Sequence, residues 1–171
     1  MAKKDAGQSA TGKVANATPA RRASKTVQPS AVIGWREWVV FPDLGSACVK
    51  AKIDTGAKTS AIHAHRIREV RGADGRACVA FELHPLQKKA LPSIACLAPI
   101  ADRRTVRNSG GREESRFFIR TAVMIGAYAF EIDLSLTRRD AMGFRMLLGR
   151  DAVKRQFLVD AARSFIHGRP E

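Results

Sequence analysis

The sequence predicts an all-β protein whose strands close into a barrel. Three observations lead there. About nine short runs rich in β-branched and aromatic residues follow one another, with almost no helical periodicity. Turn residues, chiefly Gly, Pro, Asp and Asn, separate the runs at hairpin spacing. At 171 residues and 45% apolar content, the chain can bury one core and is marginal for two domains.

Residues 1–30 hold Ala, Lys, Ser, Thr, Gln and Pro with almost nothing to bury. This predicts a disordered basic tail, followed by one folded domain over 31–171. The chain carries a net charge of +14; six Lys/Arg and one Asp put +5 in the tail and leave +9 in the rest. Such a balance suits acidic partners: nucleic acid, an anionic membrane surface or an acidic peptide. No apolar run approaches the length of a membrane span, and the charged N-terminus has no apolar segment behind it. The three cysteines, Cys48, Cys78 and Cys96, are odd in number and form no CxxC. They predict buried free thiols in a reducing, cytoplasmic setting.

Order begins near Val32. Ile33 to Phe41 is strand-like, Pro42-Asp43-Leu44-Gly45 is a turn, and Ala47 to Ile53 is the return strand that delivers Asp54. Ala61-Ile62-His63-Ala64-His65 alternates as a half-buried strand does. Ile67 to Leu83 reads strand, turn, strand about Gly72-Ala73-Asp74-Gly75. After an irregular stretch with Pro85, Pro92 and Pro99 comes a short strand, Ser93 to Leu97. A longer hairpin runs from Arg103-Arg107 through Asn108-Ser109-Gly110-Gly111 to Ser115-Ile125. Tyr128 to Leu134 is a further alternating strand. Arg145 to Gly149 is a short apolar strand, followed by a helical turn from Asp151 to about Arg155. Phe157-Asp160 and Ser164-Ile166 read as a closing hairpin. Asp140 reads as a turn residue and Asp151 as a helix cap.

The chemistry centres on Lys50-Ala51-Lys52-Ile53-Asp54-Thr55-Gly56-Ala57-Lys58-Thr59-Ser60-Ala61. An apolar strand runs into an Asp, a Thr and a Gly. The Gly permits a sharp turn that brings backbone N–H groups near the carboxylate. A carboxylate so held, with a hydroxyl beside it, can bind a water molecule. Asp-Thr-Gly-Ala in this setting resembles the catalytic loop of aspartic peptidases of the retroviral (retropepsin) type. In that fold a later apolar-apolar-Gly element crosses beneath the loop, and Leu147-Leu148-Gly149 followed by Arg150 matches it.

The resemblance narrows with Gly34-Trp35-Arg36-Glu37-Trp38-Val39, Pro42-Asp43-Leu44-Gly45, Val106-Arg107-Asn108-Ser109-Gly110 and Arg116-Phe117-Phe118-Ile119. Leu136-Thr137-Arg138-Arg139, Met142 and Phe144 to Arg150 add to it. Together they resemble the RimK-associated retropepsin-like peptidases, once labelled ATP-dependent zinc proteases, over about Gly34 to Ile166. The resemblance implies an aspartic endopeptidase that trims glutamate tails, which an ATP-grasp ligase adds to a ribosomal protein.

The older label fails on residues. No H-E-x-x-H is present, and among His63, His65, His84 and His167 only His63-x-His65 is closely spaced. That pair shares a strand face and is read as surface, so no metal is expected. Gly56-Ala57-Lys58-Thr59 mimics the end of a phosphate loop but lacks the upstream glycine, and Gly12-Lys13-Val14 lacks the Ser/Thr. No cofactor is therefore expected, and ATP belongs to a partner ligase. One departure stands out: many retroviral members have Asp after Asp-Thr-Gly-Ala, able to pair with the Arg after the later Gly. Here Lys58 takes that place, so Arg150 must find another acid or the substrate.

Aspartic proteolysis needs two carboxylates sharing a proton, and this chain has one Asp-Thr-Gly. Two chains meeting about a two-fold axis would each supply Asp54, Thr55 and Gly56. The Asn108–Gly111 hairpin is the expected lid, with the Asp74-Gly75 hairpin as competitor. Lys58, Arg107, Ser109, Arg116 and Arg150 are the expected contacts to an acidic peptide. Two other classes fit the sequence less closely: a non-catalytic peptide-binding barrel, and an RNA- or ribosome-binding module driven by charge.

Overall fold

A computed structural model describes residues 31–87, 89–107, 110–111, 113–138 and 143–170. The proposed tail, Ser109, Asp140 and Met142 lie outside the described residues.

Eleven strands and one short helix make up the described chain: β1 (Ala31–Gly34), β2 (Arg36–Phe41), β3 (Ala47–Asp54), β4 (Ser60–Arg71), β5 (Ala77–Leu83), β6 (Ile94–Pro99), β7 (Asp102–Arg107), β8 (Glu113–Ile125), β9 (Tyr128–Thr137), β10 (Met146–Gly149), α1 (Arg150–Val153) and β11 (Phe157–Asp160). Strands β10, β3, β2, β8, β9 and β4 form a closed barrel, because β10 pairs with both β3 and β4. Strands β5 and β6 extend the sheet from β4, and β7 folds back on β8. The all-β barrel expected from the sequence is the fold observed. Among the described residues no helix is long and apolar enough to cross a membrane.

Period-2 alternation places the core. Val39 and Phe41 of β2 point inward with Ala47, Val49, Ala51 and Ile53 of β3, while Lys50 and Lys52 point out. Ile62 and Ala64 of β4 meet Leu134 and Leu136 of β9 and Leu148 of β10 in the same core. The first five residues of β4 are buried on both faces, which the half-buried expectation missed. In the barrel wall β4 lies between β9, in parallel, and β10.

Several elements differ from expectation. The first run breaks at Trp35 into β1 and β2. Glu37, 0% exposed, sits at an inward position of β2, and its Oε1 accepts the Gly34 N–H at 2.7 Å. The closing hairpin does not form. β11 instead pairs in parallel with β1, and residues 164–166 are not a strand. Asp160 Oδ1 accepts the N–H groups of Ala162 and Arg163, which turns the chain away. The Ile166 N–H then goes to Glu37 Oε1 at 2.9 Å rather than into a ladder. The helix begins at Arg150 with Gly149 as its cap; Asp151 is in the first turn and pairs with Lys154. All three cysteines are free; Cys78 and Cys96 are buried, but Cys48 is only half-buried. Burial pushes the Cys96 thiol up to about 11 and raises that of Cys48.

Candidate active site

Asp54 ends β3 where the chain leaves the barrel wall. Its Oδ1 accepts N–H groups from Gly56 and Ala57, each at 3.1 Å. The turn expected of Gly56 is thus what aims two donors at the carboxylate. An added Cβ at Gly56 would lie 3.3 Å from that oxygen.

The loop 54–59 is held from beneath by β10 and α1. Gly149 stands in register with Asp54, and a Cβ there would lie 2.5 Å from the Thr59 carbonyl carbon. The Gly149 N–H donates to Ser60 Oγ at 3.1 Å, and Ser135 Oγ donates to the Ser60 carbonyl at 3.0 Å. The Arg150 and Asp151 N–H groups, free donors of a helix start, go to the Ala57 and Lys58 carbonyls at 2.8 and 3.0 Å. Arg150 Nη1 donates to the Thr55 carbonyl at 3.0 Å. Of the two expected partners, another acid or the substrate, Arg150 shows neither here: its guanidinium goes to a backbone carbonyl.

A cleft of about 570 Å³ opens over this loop. Asp54, Gly56 and Lys58 form its floor, Ala61, Ser135 and Leu147 one wall, and Val106, Arg107 and Arg116 of the β7–β8 hairpin its cover. Asp54 is the one carboxylate lining it among the described residues. Of the two candidate lids, only the β7–β8 hairpin reaches the cleft; the Asp74-Gly75 turn does not line it. Arg107 pairs with Glu113 at 2.8 Å, and Arg116, 9% exposed, with Glu114 at 2.7 Å. Thr137 Oγ1 donates to the same Glu114 oxygen at 3.1 Å. Lys58 makes no ion pair with a described residue, although its charge helps Lys154 hold the Asp151 carboxyl below its usual range. Thr55 is exposed at the loop tip and Ser109 lies outside the described residues.

The histidines are closer than sequence spacing showed. His63 Nε2 is 2.7 Å from His65 Nε2, and the His65 ring stacks on His84 with centroids 4.2 Å apart. Among the described residues no group of three or more His, Cys, Asp or Glu is arranged to hold a metal ion. Sequence reasoning missed Glu37, Ser60 and His84. An acid at an inward position between Val39 and Gly34 was the signal for Glu37; nothing local marked His84.

A closed barrel with an Asp-Thr-Gly loop, braced by a crossing apolar-apolar-Gly strand, defines the acid-protease class of the retropepsin type. The profile of the RimB-like family, described as the retropepsin-like aspartic endopeptidase RimB, matches residues 32–170, and the chain belongs to that family. It is 44% identical over 138 residues to a protein named probable alpha-L-glutamate ligase from Shewanella halifaxensis, covering 81% of this chain and 30% of that one. A protein of the same name from Desulfotalea psychrophila is 45% identical over 131 residues, 77% of this chain and 28% of that one. The chain thus spans under a third of the length of the curated relatives it matches. A Legionella pneumophila protein of unknown function (DUF785) shares the fold, with a TM-score of 0.68, 24% identity, and 81% and 98% coverage of the two chains.

Proposed function

We propose that the protein works as a homodimeric aspartic endopeptidase that shortens glutamate tails on a ribosomal protein. One observation carries the reading: Asp54, the one cleft carboxylate among the described residues, has its Oδ1 pinned by two backbone N–H groups. That arrangement fixes the side chain and leaves Oδ2 for a water. A second subunit about a two-fold axis would bring its own Asp54 alongside. Two carboxylates about 3 Å apart share one proton. The ionised one takes a proton from water, which attacks the peptide carbonyl. The protonated one donates to the carbonyl oxygen, and a proton then passes to the leaving nitrogen. Thr55 and Gly56 complete the loop, and Lys58 and the hairpin arginines favour an acidic chain.

The glutamate substrate is supported by two facts. The folded part carries +9. Proteins named as glutamate ligases contain a stretch like this chain, so an enzyme that adds glutamate and one that removes it would work as a pair. The free thiols suit a reducing cytoplasmic compartment.

The test is cleavage of a glutamate-tailed peptide by wild type and Asp54→Asn, with the mass in solution measured for both. Wild type cleaves and Asp54→Asn does not, while both run as dimers. A variant that still cleaves, or a wild type that is active as a strict monomer, overturns the reading.

A further inference from the structure

The motif Gly34-Trp35-Arg36-Glu37-Trp38-Val39 does not line the cleft over Asp54. Gly34, Glu37 and Val39 are buried, while Trp35, Arg36 and Trp38 are half-buried on the outer side of the barrel. On that outer face Arg36 stands opposite Lys52 and Trp38 opposite Lys50, because β2 and β3 pair antiparallel. The segment after β11 is tied to the start of β2. The Trp35 N–H goes to the Arg163 carbonyl at 3.0 Å and the Phe165 N–H to the Arg36 carbonyl at 2.8 Å.

Rings and cations alternate along this wall. The Arg36 guanidinium is 4.5 Å from the Trp35 ring centroid and 5.0 Å from that of Phe165. Lys50 Nζ is 5.7 Å from the Phe165 ring and 5.1 Å from the Trp38 ring. Arg169 ends the row, 4.9 Å from Trp38. None of Arg36, Lys50, Lys52 and Arg169 pairs with a carboxylate among the described residues. On β7 and β8, by contrast, Arg103, Arg104, Arg107 and Arg116 each face one. Four unneutralised cations on one wall suit a polyanion, and the rings between them decide its kind. A carboxylate chain uses only the charges. A single-stranded nucleic acid uses both, since its bases stack on aromatic rings and on guanidinium planes while its phosphates meet the cations. Exposed Arg169 and half-buried Trp35, at the two ends of the row, are where a base can add to it. Side chains already held against rings lose little freedom on binding.

We infer that the outer wall of β2 and β3 docks single-stranded RNA, with bases extending the row that runs from Trp35 to Arg169 and phosphates neutralising Arg36, Lys50, Lys52 and Arg169. The choice of RNA over DNA rests on the ribosomal substrate proposed above. The docking itself does not need the peptidase.

The test is fluorescence anisotropy of the full chain with a fluorescein-labelled RNA of about twelve uridines, read over a range of salt concentrations. Lys50→Glu with Arg169→Glu should weaken binding at least tenfold more than Arg68→Glu with Arg71→Glu, which makes the same change of charge on β4. Trp38→Ala should weaken binding about fivefold and leave the salt slope unchanged, and Trp38→Phe should restore it. If Trp38→Ala fails to fold, the two charge-reversed pairs decide, since none of their four positions is buried. The charge of residues 1–30 is common to every variant and cancels in these ratios. The inference is overturned if the two pairs weaken binding equally, or if folded Trp38→Ala binds as wild type does. It is also overturned if polyglutamate of equal charge displaces the probe as well as unlabelled RNA does, or if DNA of the matching sequence binds more tightly. The readout needs no turnover. A chain that cleaves nothing can still pass it, and one that cleaves glutamate tails can still fail it.

Discussion

Gly149 lies level with Asp54 in the parallel pairing of β10 with β3, close enough that a single methyl group would strike the backbone of the loop that follows Asp54. The nearest loop atoms, the Thr59 carbonyl carbon and oxygen, would be 2.5 and 2.6 Å from it. Neither belongs to a flexible side chain. Gly149→Ala should therefore push the loop off its support. Overpacking of this kind costs roughly 1–3 kcal/mol, read as a lower urea midpoint. Peptidase activity should fall further than stability, because the displaced segment carries Asp54. An unchanged midpoint would mean that the loop yields easily.

Arg150 bridges from α1 to the Thr55 carbonyl. Its guanidinium is solvent-exposed, so its removal should barely move the melting temperature. Loop geometry should loosen instead. Arg150→Ala is expected to lower kcat/KM about tenfold, equivalent to about 1.4 kcal/mol in the barrier. Equal kinetics for the variant would show that the backbone bonds of Ala57 and Lys58 suffice.

Glu37 gathers three N–H groups inside the barrel wall: Gly34, Ile166 and, at 3.4 Å, His167. Glu37→Gln keeps the shape but turns one acceptor into a donor facing N–H groups. The expected loss is about 2–3 kcal/mol in denaturant unfolding. Glu37→Leu should be worse, since it leaves all three donors unpaired.

His84 gives the fold a pH dependence near neutrality. Burial, then the neighbouring His65 and the Arg145 charge, hold its imidazole below the ordinary 6.5, against a smaller opposing pull from Glu82. The unfolded chain then binds a proton that the folded chain refuses. Stability should be full above 6.5, fall as pH drops below it, and level off once the folded imidazole is itself protonated. Thermal melts between pH 7.5 and 5 read this slope. His84→Gln should flatten it in that window, because the carboxyls of Asp74, Asp151 and Asp160 are held below 3.8.

The barrel was legible because its strands announce themselves locally. β3 alternates Ala47, Val49, Ala51 and Ile53 against solvent-facing lysines, and a Gly marks the turn that follows Asp54. The same logic overreached at Ser164–Ile166, an apolar-looking run in which the Ile166 N–H goes to Glu37, the Phe165 N–H goes to the Arg36 carbonyl, and Phe165 adopts φ +53°. It also paired β11 with the wrong neighbour, since the β1 contact joins segments more than a hundred residues apart. At the site, Asp54 and Gly149 were readable from the two short motifs. Arg150 was not, because its partner is a backbone carbonyl, which carries no signature in sequence. His84 joined His65 only through the β4–β5 hairpin, which sets His65 opposite Glu82.

The first and last strands of the unit, β1 and β11, are strapped side by side, and the segment after β11 turns back until His167 Nε2 sits 2.9 Å from the Val32 carbonyl. Both ends of the folded body consequently leave from one spot. Any polypeptide joined there, before or after, would hang from a single tether and need not wrap around the cleft. Such an attachment lets the same body ride on much longer chains through one junction.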